Sequence, residues 1–73
     1  MTVSKSLLTI RFDLENGYVE IINHSDYRLQ MCAVPENNKR KIETLVIINK
    51  KRRHIVDNVT EFDLNDYYFR FAK

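Results

Sequence analysis

Hydrophobic and polar positions alternate strictly from Leu8 to Leu14. Leu8, Ile10, Phe12 and Leu14 share one face, and Thr9, Arg11 and Asp13 share the other. A period of two over this length marks a strand with one buried face. Asn16-Gly17 follows at once, a pair that tolerates the two positive φ angles of a type I′ turn. Taken as a two-residue hairpin loop, it sets Glu15 opposite Tyr18, Leu14 opposite Val19 and Phe12 opposite Ile21. Both strands then turn their apolar residues to one side. The same register sets Asp13 against Glu20, a like-charge pair that Arg11 offsets in part from the diagonal.

Asn23-His24-Ser25-Asp26 has turn chemistry, because its short polar side chains bond nearby backbone. Leu29 to Val34 reads as a third strand, with Leu29, Met31 and Ala33 on one face, and Pro35-Glu36-Asn37-Asn38 ends it. Ile42 to Asn49 is the fourth. Leu45, Val46, Ile47 and Ile48 are apolar on both faces, which predicts a central strand, or one with a face covered by a second subunit. Lys50-Lys51 then forms a loop, Arg53 to Val56 a short fifth strand, and Asp57-Asn58 a turn before Val59 to Leu64. The last segment fits two periods. Tyr67, Phe69 and Phe71 alternate as in a strand, whereas Leu64, Tyr67, Tyr68 and Phe71 have helical spacing, with Asp63 as a usable N-cap. The aromatic content favours the strand.

These elements predict a single, mainly β domain over residues 1–73, a small antiparallel barrel or compact sandwich of five to six short strands. The alternative is an α+β fold with a C-terminal helix on a β-meander. Length limits the core, since a chain of 73 residues buries only about 60% of its unfolded surface. Apolar content of 44% beside 30% charged residues is that of a globular chain. One Gly and one Pro leave little room for flexible linkers.

Cys32 is the only cysteine, whereas small secreted domains usually carry several. Arg11 and Asp13 interrupt any signal-peptide core in Met1 to Leu14, and Leu45 to Ile48 is far too short to span a membrane. A cytoplasmic protein with no membrane partner is expected. The frequent Asn, Lys, Ile, Tyr and Phe have AT-rich codons, which fits a low-GC bacterium or a phage.

Few residues suggest chemistry. One Cys with His24 and His54 falls short of a structural zinc site, and no CxxC or HxxxH spacing occurs. Cys32, in an apolar strand, reads as a small hydrophobe. Cys32, His24 and Asp26 could be drawn as a triad, but no Gly-rich elbow accompanies them. Asp63 and Asp66 lie in a solvated acidic stretch without an apolar pocket to shift a pKa. The single Gly17 cannot build a phosphate-cradling loop. The expectation is a non-catalytic protein without metal or cofactor.

Charge is the informative feature. Seven of the twelve Lys and Arg residues fall within positions 39–53, as Lys39-Arg40-Lys41 and Lys50-Lys51-Arg52-Arg53, and His54 extends the second cluster. Asp57, Glu61, Asp63 and Asp66 follow, so a net charge of +2 conceals a dipolar molecule that steers anionic partners. Lysines at a sheet edge also serve simply to prevent unwanted pairing. Tyr67, Tyr68, Phe69 and Phe71 could stack bases, although a thin core without Trp needs most of them for packing. The function expected is a small regulatory or inhibitory protein, of accessory or phage type. It would bind a protein partner, one that handles nucleic acid among the candidates, through the basic ends of strand 42–48. The alternative is direct binding of nucleic acid or a phosphorylated ligand by the same residues. The apolar excess of 42–48 also allows a homodimer.

Overall fold

The computed structural model describes residues 1–34, 42 and 45–72. Among these residues, seven strands form two antiparallel sheets. β1 (Thr2–Lys5), β2 (Leu8–Asp13), β3 (Tyr18–Asn23) and β6 (Arg53–Asp57) make one sheet in the order β1-β2-β3-β6. β5 (Leu45–Ile48), β4 (Arg28–Ala33) and β7 (Tyr67–Ala72) make the other in the order β5-β4-β7. The sandwich alternative of the sequence reading is the architecture found, and no described element is an α-helix.

The alternation in the sequence builds the core directly. Ile10, Val19 and Ile21 face inward from the first sheet, and Leu29, Met31, Val46, Ile48 and Tyr67 from the second. Val59 and Ile42 complete the buried cluster, with Phe12, Phe62 and Phe69 packed against it. Phe62 lies between Phe12 and Tyr67, at ring-centroid distances of 5.2 and 5.8 Å.

The β2–β3 hairpin forms, with a register two residues away from the expected one. Asp13 pairs with Tyr18, Phe12 with Val19 and Ile10 with Ile21, so the loop is the four residues 14–17. A shift of two preserves which side chains face the core. The cause is Asp13, whose Oδ1 accepts from the Asn16 N–H at 3.2 Å and whose Oδ2 accepts from Asn16 Nδ2 at 2.6 Å. This side-chain cap closes a wider turn in which only Gly17 has positive φ, at 76°. Arg11 then stands directly opposite Glu20, and the like-charge pairing of Asp13 with Glu20 does not occur.

The Asn16 hydrogen bonds, side-chain amide first and backbone N–H second, hold the Asp13 carboxyl below its ordinary pKa. A lowered folded-state pKa stabilises the fold above the unfolded value, and that contribution disappears as pH falls through the folded one. Thermal melts from neutral to strongly acid pH should therefore show less acid-dependent loss in Asp13→Asn than in the parent chain. An identical pH profile would exclude the cap as a contributor.

Further expectations change. The strand Ile42 to Asn49 is expected to be central, or to have one face covered by a second subunit; among the described residues β5 has β4 as its one neighbour, and it alternates, with Val46 and Ile48 buried and Leu45 and Ile47 about half exposed. Asn58, expected in a turn with Asp57, has φ 61°, and residues 59–63 after it are not in a strand, although the Val59 N–H reaches the Gly17 carbonyl at 2.9 Å. Asp63 does act as a cap, accepting from the Asn65 N–H at 2.9 Å, but over the single 3-10 turn Leu64–Asp66 that leads into β7. The strand reading of Tyr67–Phe71 holds. The turn expected at Pro35–Asn38 lies outside the described residues.

Candidate basic surface

At one end of the sandwich the turn between β3 and β4 meets the crossing from β5 to β6, and the second basic cluster sits on that crossing. Asn23 organises both. Its side chain is fully buried. Its Nδ2 donates to the carbonyls of Tyr27 at 2.7 Å, Ile48 at 3.1 Å and Asn49 at 3.2 Å. Its Oδ1 accepts from the N–H of Ser25 at 2.9 Å and from Ser25 Oγ at 2.7 Å. Three carbonyls on one side leave only one workable orientation for the amide. Of the four residues 23–26 expected to have turn chemistry, Asn23 and Ser25 supply these bonds.

The crossing itself is a tight turn, with the Arg52 N–H donating to the Asn49 carbonyl at 3.2 Å. Lys51 occupies its third position at φ 56°, where Gly or Asn is ordinarily preferred. Local bonds compensate for that strain. The Lys51 N–H reaches the Ser25 carbonyl at 3.2 Å, and its Nζ donates to the His24 carbonyl at 2.7 Å and lies 3.9 Å from Asp26 Oδ1. Lys51 is thus a clamp between two loops.

Arg53 also has an internal task. It reaches Glu20 Oε2 at 3.3 Å while Arg11 reaches Oε1 at 3.2 Å, so two guanidinium groups clasp a carboxylate whose side chain is only 8% exposed. Bonding on both oxygens is what allows a charged group to sit at this depth. His54 follows Arg53 along β6 and faces the other way, in register with the buried Ile21. The structure therefore separates His54 from the cluster that it extends in sequence. Lys39, Arg40 and Lys41 lie outside the described residues.

Lys50 and Arg52 remain. Both are exposed, and among the described residues neither side chain forms an ion pair. Lys50 lines a shallow depression of about 340 Å³ with Asn49, Asp26, Tyr27 and Arg28. Tyr27 is 42% exposed there. Tyr27 and Arg28 were not singled out in the sequence, although an aromatic–cation pair directly after a turn-forming stretch was the available signal.

The other candidate chemistry does not assemble. His24 Nε2 bonds Thr9 Oγ1 at 2.8 Å on the outer face of the first sheet, while Cys32 lies half-buried on the outer face of the second, beside Leu45 and Tyr68. These two side chains cannot act on one substrate atom, and Cys32 is half-buried on its strand. Among the described residues no three His, Cys, Asp or Glu side chains gather as metal ligands would. No described helix is long and apolar enough to cross a membrane. No protein family, curated protein or solved structure matches this chain.

Proposed function

We propose that this protein is a small non-catalytic regulator or inhibitor, active in the cytoplasm, that docks on an acidic surface of a protein partner. Lys50 and Arg52 supply the attraction, and Tyr27, in the same depression as Lys50 and Arg28, supplies an apolar anchor. The observation that carries this reading is the division of labour within the cluster. Lys51 and Arg53 are committed to holding the turn and Glu20, which leaves Lys50 and Arg52 presented on a rigid support. Rigid presentation matters because a preorganised surface loses less side-chain freedom on binding. Aromatic and arginine side chains are also the usual energetic anchors of protein interfaces.

Tyr27 favours a second reading as well. An exposed ring flanked by cations can stack a base while Lys50 and Arg52 contact phosphates, as in single-strand binders. One experiment separates the two. The double variant Lys50→Ser, Arg52→Ser should retain the parent's stability to within about 0.5 kcal/mol, as exposed substitutions do. Affinity capture with the parent chain should yield a partner that the double variant loses. Survival of that capture after nuclease treatment supports the protein reading, and its disappearance supports nucleic acid. Undiminished capture by the double variant would remove these residues from the interface. Altering Lys51 or Arg53 instead would confound the result, because each also holds the fold.

A further inference from the structure

The β6 strand, Arg53-His54-Ile55-Val56-Asp57, closes one edge of the four-stranded sheet, and no described element pairs with its outer side. Which of its backbone groups face outward follows from its pairing with β3. The Asn23 N–H donates to the Arg52 carbonyl at 2.8 Å, so Asn23 and Arg52 stand in the hydrogen-bonded register, with the Arg52 N–H turned to Asn49 instead. Such pairs alternate along an antiparallel ladder, so Ile21 with His54 and Val19 with Val56 are the next. The N–H and C=O groups of Arg53, Ile55 and Asp57 consequently point away from the sheet.

We infer that a second copy of this chain pairs with that edge, β6 against β6, about a two-fold axis through Ile55. In this register Ile55 meets its own copy through a hydrogen-bonded pair, and Arg53 meets Asp57 at both ends. All three residues project from the outer face of the sheet, so the result is two cross-strand ion pairs around a pair of isoleucines. Ile55 is 49% exposed in the single chain, and this contact covers it. Charges on an edge strand ordinarily deter pairing. Here they deter other partners and other registers while matching a second copy. Sliding by two residues leaves Arg53 or Asp57 without an opposite charge, and sliding by four sets Arg53 on Arg53 or Asp57 on Asp57. A self-complementary patch is what a two-fold interface requires, and the product is one continuous eight-stranded sheet. The contact does not use Lys50 or Tyr27, so it stands apart from the partner-binding surface proposed above.

Sedimentation velocity over a concentration series tests the inference. The parent chain should dimerise, and Asp57→Arg should raise the dimer dissociation constant roughly ten-fold or more, because two attractive pairs become repulsive. Arg53 also holds Glu20, so Ile55→Lys, which keeps that arginine, provides a second disruption; its ammonium stands opposite Glu20 on β3. It should abolish the dimer by setting two ammonium groups together at the axis. A parent chain that stays monomeric at the highest concentration would overturn the inference. So would a dimer that persists undiminished in both Asp57→Arg and Ile55→Lys.

Discussion

Replacing Asn23 with Ala is expected to remove about 3 kcal/mol or more of stability, which is most of what a domain of this size has. The side chain is fully buried and satisfies three carbonyls and two donors of Ser25. Each buried polar group left without a partner costs about 1–3 kcal/mol, so even with water reaching the more open carbonyls the sum is large. Asn23→Asp should be nearly as damaging, because it sets a carboxylate where three carbonyl oxygens demand a donor. Chemical denaturation followed by circular dichroism measures the loss. A change below about 1 kcal/mol in both variants would show that the loops hold together without the amide. The consequence reaches the proposed interface, because the same amide ties the Tyr27 turn to the crossing that carries Lys50 and Arg52.

The second large effect is expected at Ile21. It is completely buried on β3 and is flanked in register by Ile10 and His54. Ile21→Ala should cost about 2–5 kcal/mol, from lost transfer energy and from a cavity that strands paired on both sides cannot collapse to fill. Ile55→Ala, on the same sheet but half exposed, is the internal control and should cost much less. Denaturation midpoints for the two variants decide the matter, and equal losses would mean that the cavity is refilled.

The faces of the strands were legible in the sequence because alternation in a two-layer β protein has one dominant cause, burial. Leu8 to Phe12, Leu29 to Ala33 and Tyr67 to Phe69 all follow it, whereas Phe71 is exposed near the end of β7. What alternation cannot convey is which neighbour a strand receives. Leu45 to Ile48 is apolar at every position, yet β5 is an edge strand whose Leu45 and Ile47 are half exposed. Nor does it convey competition between turns. Asn16-Gly17 favours a two-residue loop, but Asp13 three residues upstream caps a wider one and moves the register. β1 was missed because Thr2 to Lys5 contains one large apolar residue, too few for a pattern. The basic cluster was legible as a cluster and opaque as a site. Four adjacent cations look equivalent in sequence, and only their neighbours in space show that Lys51 and Arg53 are engaged while Lys50 and Arg52 are not.

The order in which the strands pair has a kinetic consequence. β1, β2 and β3 follow one another as local hairpins, but β6 must return to β3, and β4 acquires a second neighbour only when Arg28 meets Ala72. Neither sheet is complete until its most distant segment arrives, and contacts between remote segments slow the search for the native state. The bonds that Asn23 and Lys51 make across the loops span 25 to 27 positions, fewer than the 44 between Arg28 and Ala72. The clamp at the basic end therefore closes a shorter loop than the pairings that complete either sheet.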